Sequence, residues 1–359
     1  MTLITYPTRV HFSEGVLEEA LRSELEAHDF SRPLLLCEEE AESGELAERM
    51  HAGLPRRTRP IQISIGPADS KYDTAERTFP DLVTAQPDVI VPFGSARAIV
   101  HARKVRHYLL QRSPAFGTTP RPLDLFAVPG VDGLPNPCRT AFDPSLPMLD
   151  AVSRSGLPRI VICDPSVAQG ATNEDAAGAA MDAFSRCLEA YLSDAYNPPA
   201  DGIAVDGLIR ALASIRGNLD TEDKMIRREL MAANLNARLA QQKGIGPTQL
   251  LSDILREPHG NRLKSGPLAR VLLPAALGGR TVPPDRQLHL NRILDLEGDQ
   301  HLDEEIDLII GDLPFAGRLS DLGLTRKDIV TASAQIDEPL SDAVKTTSSA
   351  AMSIMEAVL

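Results

Sequence analysis

Tryptophan is absent from this chain and aromatic residues make up only 4% of it. Leu, Val, Ile and Ala must therefore fill the core, and the composition offers no platforms for stacked bases or sugars. There is no C-x-x-C, and Cys37, Cys138, Cys163 and Cys187 stand far apart. That spacing argues against a zinc knuckle and suits a reducing compartment. No stretch approaches the roughly 18 apolar residues of a membrane helix, and the opening MTLITYPTRVHF has no apolar signal region. The expectation is a cytoplasmic protein with no membrane partner. Positive charge is also scarce: 37 Lys and Arg face 50 Asp and Glu, a net −13. Such a surface repels phosphate backbones and excludes nucleic acid unless a local basic patch exists. The best candidate patch, Arg97 to Arg106 (RAIVHARKVR), has helical spacing and reads as a solvated helix face.

What is present fits an ordinary two-domain globular chain: 359 residues, 43% hydrophobic and 24% charged. Up to residue 165, short apolar runs alternate with amphipathic segments. Strands are expected at Arg9 to Phe12, Pro33 to Cys37, Ile61 to Ile65, Asp88 to Pro92, Leu125 to Pro129 and Ile160 to Cys163. Helices are expected at Val16 to Ala27, Glu45 to His51, Asp73 to Ala85 and Ala96 to Leu110. Continuous apolar strands separated by helices predict a parallel sheet covered on both faces. Ser113 to Pro122 and Pro129 to Pro147 read as loops, and Cys163-Asp-Pro165 reads as a domain boundary.

Beyond residue 170 strand signals almost vanish. Helices are predicted at Asp175 to Ser193, Asp201 to Arg216, Thr221 to Lys243, Pro247 to Arg256 and Pro267 to Leu277. The series continues at Arg286 to Glu297, His301 to Ile310, Thr325 to Ile336 and Ser341 to Val358. The fold class is thus an α/β Rossmann-like domain with a parallel sheet over 1–165, followed by an all-α domain over 166–359, with a cleft expected between them.

Three segments carry a resemblance. The opening Tyr6-Pro-Thr-Arg-Val-His-Phe-Ser-Glu-Gly15 and the strand Pro158-Arg-Ile-Val-Ile-Cys-Asp-Pro165 are two. The third and most specific is Gly178-Ala-Ala-Met-Asp-Ala-Phe-Ser-Arg-Cys-Leu-Glu-Ala-Tyr191, followed by Asn197-Pro198 and Ala200-Asp201. Together, with Ser320-Asp-Leu-Gly-Leu324 near the end, they resemble the iron-containing alcohol dehydrogenase and maleylacetate reductase family, of dehydroquinate synthase-like fold. Against the family pattern G-M-D-A-x-x-H-x-x-E, Met181, Asp182, Ala183 and Glu189 match, but Arg186 replaces the histidine.

In that family one Asp and three His hold Fe²⁺ or Zn²⁺. The resemblance puts Asp182 and Arg186 at the first two ligand positions, four residues apart on one helix face. Gln249 and Asp253 fall where an H-x-x-x-H helix would carry its histidines. The third histidine position maps to Ser265-Gly266 or, with a different gap, to Pro258-His259-Gly260. Guanidinium has no lone pair for a metal, and Asp182 with His259 is too few ligands. The expectation is that no catalytic metal binds. Arg186 reads two ways, as a cleft cation that holds a carboxylate or polarises a carbonyl, or as a helix salt bridge to Asp182. Gln249 and Asp253 either line the cleft or face solvent.

The family's nucleotide turn is also reduced. After the strand Val89 to Phe93 come Gly94, Ser95 and Ala96, with one glycine where the family has three, and Phe93 in a glycine's place could crowd the phosphates. After Ala127-Val-Pro129 stands Gly130, but the family's paired hydroxyls are missing and Asp132 adds negative charge. Glu38 matches the acid that takes the ribose hydroxyls in NAD-using members; it also reads as one acid in a surface run. The resemblance implies a weakened NAD or NADP site, a small-molecule substrate of a class that includes anions, and a homodimer formed through the N-terminal strand.

The leading functional expectation is a metal-independent NAD(P)H-dependent reductase of a small carbonyl or keto-acid. His101, His259 and Asp253 are candidate proton donors. The alternatives are a lyase, isomerase or cyclase on the same scaffold, or a catalytically dead homologue.

Overall fold

The computed structural model describes residues 8–67, 69, 71–113, 116, 123–131, 133, 158–296, 301–336 and 346–359. The chain divides into two compact units, an α/β unit that extends through Gly170 and a helical unit that begins at Ala171.

The α/β unit is built on six parallel strands: β1 (Arg9–Phe12), β2 (Pro33–Glu38), β3 (Ile61–Ile65), β4 (Val89–Gly94), β5 (Asp124–Pro129) and β6 (Ile160–Cys163). Their order across the sheet is β1-β6-β5-β4-β2-β3. The inner strands β4, β5 and β6 are buried nearly throughout, which is why they read as unbroken apolar runs. Helices α1 (Leu17–Ala27) and α2 (Glu45–Ala52) cover one face, with Leu21 and Met50 packed in a core that includes Leu35, Phe93 and Phe126. Helices α3 (Lys71–Ala85) and α4 (Ala96–Arg112) cover the other, with Leu82 and Val105 against Leu36 and Ile90.

The basic segment on α4 corrects a sequence expectation. His101, Arg103 and Lys104 are buried, and Arg106 Nε donates to the Leu123 carbonyl at 2.6 Å. The segment is not a solvated face; three of its five charged or imidazole side chains are drawn into the unit alongside the apolar positions Ala98, Ala102 and Val105 that share the helix. The loops expected at Ser113 to Pro122 and Pro129 to Pro147 lie mostly outside the described residues.

One buried carboxylate ties the start of the sheet to its end. Asp164, just past β6, accepts from the backbone amides of Gly15 (2.8 Å) and Leu17 (3.0 Å) at the start of α1. It also accepts from Ser166 and from Arg49 Nη2 at 2.8 Å. Helix α1 has no side-chain cap of its own, so Asp164 supplies one from 147 residues away. Gly15, at φ +74°, makes the turn into that cap. Burial alone would push the Asp164 carboxyl up, but these hydrogen bonds outweigh it and hold it below its ordinary value.

The helical unit contains α5 (Asn173–Leu192), α6 (Pro198–Arg216), α7 (Lys224–Ala240), α8 (Pro247–Arg256) and α9 (Ser265–Leu277). It continues with α10 (Pro284–Leu294), α11 (Leu302–Ile310), α12 (Arg326–Ser333) and α13 (Ser348–Ala357). Helix α5 starts at the Thr172 cap, which accepts from the Asp175 amide, and from Ala179 to Leu192 every residue is buried. Glycines on its neighbours allow that: a Cβ on Gly266 of α9 would lie 2.3 Å from the Gly178 carbonyl oxygen, and one on Gly207 of α6 would lie 2.5 Å from Cys187 Sγ. Some ends differ from expectation. Helix α10 stops at Leu294 because Asp295 turns left-handed at φ 57°, and α7 starts at Lys224 because Asp223 caps it. Residues 341–345, expected to open the last helix, lie outside the described set. Among the described residues no helix is long and apolar enough to cross a membrane.

Asp164→Asn should lower the stability of the chain by about 2 kcal/mol, because it removes the ionised acceptor of the Gly15 and Leu17 amides and leaves Arg49 with Glu18 as its one carboxylate partner among the described residues. Urea unfolding at neutral pH measures this.

Candidate functional site

A buried ion cluster occupies the middle of α5. Asp182 and Arg186 lie one turn apart, and Arg186 Nε donates to Asp182 Oδ2 at 2.5 Å. Arg238, near the end of α7, donates from Nη2 to the same oxygen at 3.0 Å. Ser265, the first residue of α9, donates its hydroxyl to Oδ1, and Arg186 Nη2 reaches Ser265 Oγ at 3.4 Å. The close approach of Gly266 to Gly178 is what brings Ser265 within range. The Arg186 side chain is 2% exposed, and among the described residues its Nη1 has no acceptor. Desolvation would raise the Asp182 carboxyl, yet the two guanidinium charges and the hydrogen bonds prevail and hold it at about 2. Asp182 is therefore a fixed anion and no source of protons.

The two readings of Arg186 meet here. It does form the helix salt bridge, but in the interior, with a second guanidinium on the same carboxylate and one N–H left over. The sequence reading did not single out Arg238. Its signal was a charged residue in a stretch that also carries the buried positions Leu230, Met231, Ala233, Asn234 and Ala237.

Helix α8 carries Gln249 and Asp253. Gln249 is buried, so it does not face solvent, and among the described residues its Nε2 has no partner. Asp253, one turn later, is half-buried, with Arg256 Nη1 at 4.0 Å. Glu189 of α5, one turn after Arg186, is buried and accepts from the backbone amides of Thr248 (2.8 Å) and Gln249 (3.4 Å). The gap left open by the sequence is settled geometrically. Ser265 joins Asp182, whereas His259 accepts or shares a hydrogen bond with Arg262 at 2.6 Å and lies 3.6 Å from Asp328. His259 is a partner of that acidic residue, not of Asp182, because the turn after α8 carries it toward α12.

As a metal site this donor set does not fit. Arg186 and Arg238 have no lone pairs to give, the oxygens of Asp182 are engaged by N–H and O–H donors, and Gln249 and Ser265 offer only neutral groups. Among the described residues no three His, Cys, Asp or Glu side chains converge as ligands would.

In the α/β unit the strand order reverses between β2 and β4, since β3 lies outside β2 and β5 outside β4. The carboxyl ends of strands at such a reversal are where parallel sheets hold ligands. Glu38 ends β2 and Gly94 ends β4. Gly94 turns at φ +90°, Ser95 caps α4 through the Ala98 amide at 3.2 Å, and Ala96 opens the helix. Gly130 donates its amide to the Gly94 carbonyl at 2.6 Å, and a Cβ there would come within 3.0 Å of that oxygen. Two glycines at the reversal, a capped helix start and no acid in the first turn of α4 suit a phosphate group. Phe93 does not crowd this turn, contrary to expectation. It is 1% exposed and packs in the core with Phe126 and Val91, because strand alternation sends it to the face under α1. Glu38 is no isolated member of an acidic run either: Arg97 Nη1 meets it at 3.0 Å. Asp132 lies outside the described residues, and His101 is buried beside Thr74 at 2.9 Å.

No family model matches the sequence. The chain is 27% identical over 363 residues to 4-hydroxybutyrate dehydrogenase of Cupriavidus necator, with 94% of each chain covered. Its fold is similar to that of sulfoacetaldehyde reductase from Bifidobacterium kashiwanohense in complex with NAD+, at a TM-score of 0.79 and 15% identity over 100% of this chain and 99% of that one. It is likewise similar to maleylacetate reductase from Rhizobium sp. strain MTP-10005, at 0.74 and 16% identity over 100% and 97%.

Because the folded carboxyl of Asp182 is depressed, its contribution to stability is fully present above the ordinary carboxylate range and is lost as pH falls from about 4 to about 2. That contribution is about 2 kcal/mol. Asp182→Asn should cost about 3–5 kcal/mol at neutral pH by leaving two buried cations short of an anion, and should flatten the acid limb relative to the parent chain. Chemical unfolding of both proteins at stepped pH reads the difference.

Proposed function

Because the chain is a divergent member of the iron-containing alcohol dehydrogenase and maleylacetate reductase family, we propose that it is an NAD(P)H-dependent oxidoreductase that reduces a small carbonyl or keto-acid substrate without a catalytic metal. The observation that carries the metal-free part is the state of Asp182: every donor around it is a guanidinium or hydroxyl hydrogen. A permanent cation stands where the family places a metal ligand.

The dinucleotide would be held by Gly94, Ser95, Ala96 and Gly130 at the strand reversal, with Glu38 at the ribose end and Arg97 beside it. When bound, it supplies the hydride. Arg186 Nη1 and Gln249 Nε2, two of the buried nitrogens that have no hydrogen-bond partner among the described residues, donate to the carbonyl oxygen and hold the negative charge that grows there. Asp182, Arg238 and Ser265 do not touch the substrate in this scheme; they fix the guanidinium in one orientation in a medium of low dielectric. Asp253, half-buried one turn after Gln249 on the same helix, is the carboxyl group assigned to proton exchange with water. The 4-hydroxybutyrate dehydrogenase similarity supports a substrate of the hydroxy-acid and aldehyde-acid class.

Protein purified without chelator should carry far less than one equivalent of iron or zinc, and its turnover of NADH or NADPH with short aldehyde-acids should survive dialysis against EDTA. Arg186→Met should lower kcat/KM by about 10²-fold, the scale of losing one preorganised donor to a developing oxyanion, while Arg186→Lys keeps the charge and loses less. Stoichiometric metal with EDTA-sensitive turnover would overturn the metal-free reading. If neither NADH nor NADPH binds at millimolar concentration by fluorescence titration, the redox reading fails and lyase, isomerase or cyclase chemistry takes its place.

A further inference from the structure

We propose that Glu189 is a positioning residue: its buried carboxylate clamps the start of α8 to α5 and so sets Gln249 against Arg186. The claim rests on the reading of Gln249 and Arg186 as the paired donors to the substrate oxygen.

The hydrogen-bond accounting at the start of α8 leads to it. Four amides at a helix start lack intrahelical acceptors. In α8 the first position is Pro247, which has no N–H. Thr248 and Gln249 donate to Oε1 and Oε2 of Glu189, and the Leu250 amide already reaches the Gly246 carbonyl at 3.1 Å. The capping position itself is Gly246, with no side chain to contribute. One carboxylate from another helix thus does the whole work of a cap.

The loop before α8 is shaped around that carboxylate. A Cβ on Gly246 would sit 2.2 Å from Glu189 Cδ, and Gly244 turns at φ +101°, so only glycine allows the backbone so close. Burial pushes the Glu189 carboxyl up, and the amide hydrogen bonds oppose it. A Ser or Asp at position 246 would cap α8 without burying a charge. What such a local cap cannot do is fix α8 to α5. Glu189 follows Arg186 by three residues on the same helix face, and its Oε2 holds the backbone of Gln249 itself. The backbone of Gln249 is therefore held one turn along α5 from Arg186, and among the described residues Gln249 Nε2 and Arg186 Nη1 both lack partners.

The test is a double-mutant cycle of Glu189→Gln with Gln249→Ala, read by steady-state kinetics with NAD(P)H and succinic semialdehyde and by hydrogen exchange of the α8 amides. Glu189→Gln turns an N–H donor toward two backbone N–H groups. It should lower kcat about tenfold with KM for the dinucleotide unchanged, should cost nothing further in the Gln249→Ala background, and Glu189→Asp should recover part of the loss. Equal losses in both backgrounds would show a purely structural carboxylate and overturn the proposal, as would an undiminished kcat in Glu189→Gln. Exchange needs no turnover: Thr248 and Gln249 amides should exchange at least about tenfold faster in the variant while those of α7 stay protected, and unchanged protection would overturn the clamp even if the parent enzyme proves inactive with NAD(P)H. Should Glu189→Gln not fold, Gly246→Ala displaces the same carboxylate and is judged by the same two readouts. An inactive parent with a confirmed clamp would count against the redox reading alone.

Discussion

A buried carboxylate shared by two guanidinium groups ties together three helices of the helical unit. Taking Asp182, Arg186 and Arg238 out of water costs several kcal/mol for each ion, which only close, well-directed partners offset. Those partners sit on three different helices, α5, α7 and α9, so the geometry of the cluster fixes how the helices pack. The dependence runs both ways. Gly266 lets α9 approach α5 closely enough for Ser265 to reach Asp182, and the bonds to that carboxylate reward the approach. The cluster is also asymmetric, with two guanidinium charges on one carboxylate and, among the described residues, no acceptor for Arg186 Nη1.

The same device appears in each unit: a buried acid from one element caps the start of another. Asp164 does so for α1 and Glu189 for α8. In both cases the capped segment has no side-chain cap of its own, and a glycine makes the approach, Gly15 in one and Gly246 in the other. A local cap stabilises a helix; a distant one also sets where that helix starts relative to the element that supplies the acid. Both acids lie next to the sequence patterns by which the chain is recognised, the strand ending Cys163-Asp-Pro165 and the helix pattern ending at Glu189. Patterns of this kind carry packing information as much as chemistry.

In the α/β unit the position proposed for the dinucleotide follows from topology. The reversal of strand order between β2 and β4 leaves their carboxyl ends flanked by helices on opposite faces, and Glu38, Gly94 and Gly130 gather there. Arg97 bridges Glu38 to the Gly66 and Asp69 carbonyls, so the region holds a cation as well as small residues.

Much of this was legible in the sequence. Apolar runs such as Leu34 to Cys37 and Ile160 to Cys163 specified parallel strands because a sheet covered on both faces needs no alternation, and four-residue spacing put Asp182 and Arg186 on one helix face. Local patterns of that sort are decided by neighbours along the chain. The rest was not. That Ser265 and not His259 joins Asp182, that Arg238 completes the cluster from 56 residues away, that Phe93 turns into the core and that the basic stretch on α4 is buried all depend on which faces of distant elements meet. Sequence spacing fixes the direction of a side chain relative to its own helix or strand. Only tertiary packing fixes what lies in that direction, because burial and the pairing of buried charge are properties of the assembled core.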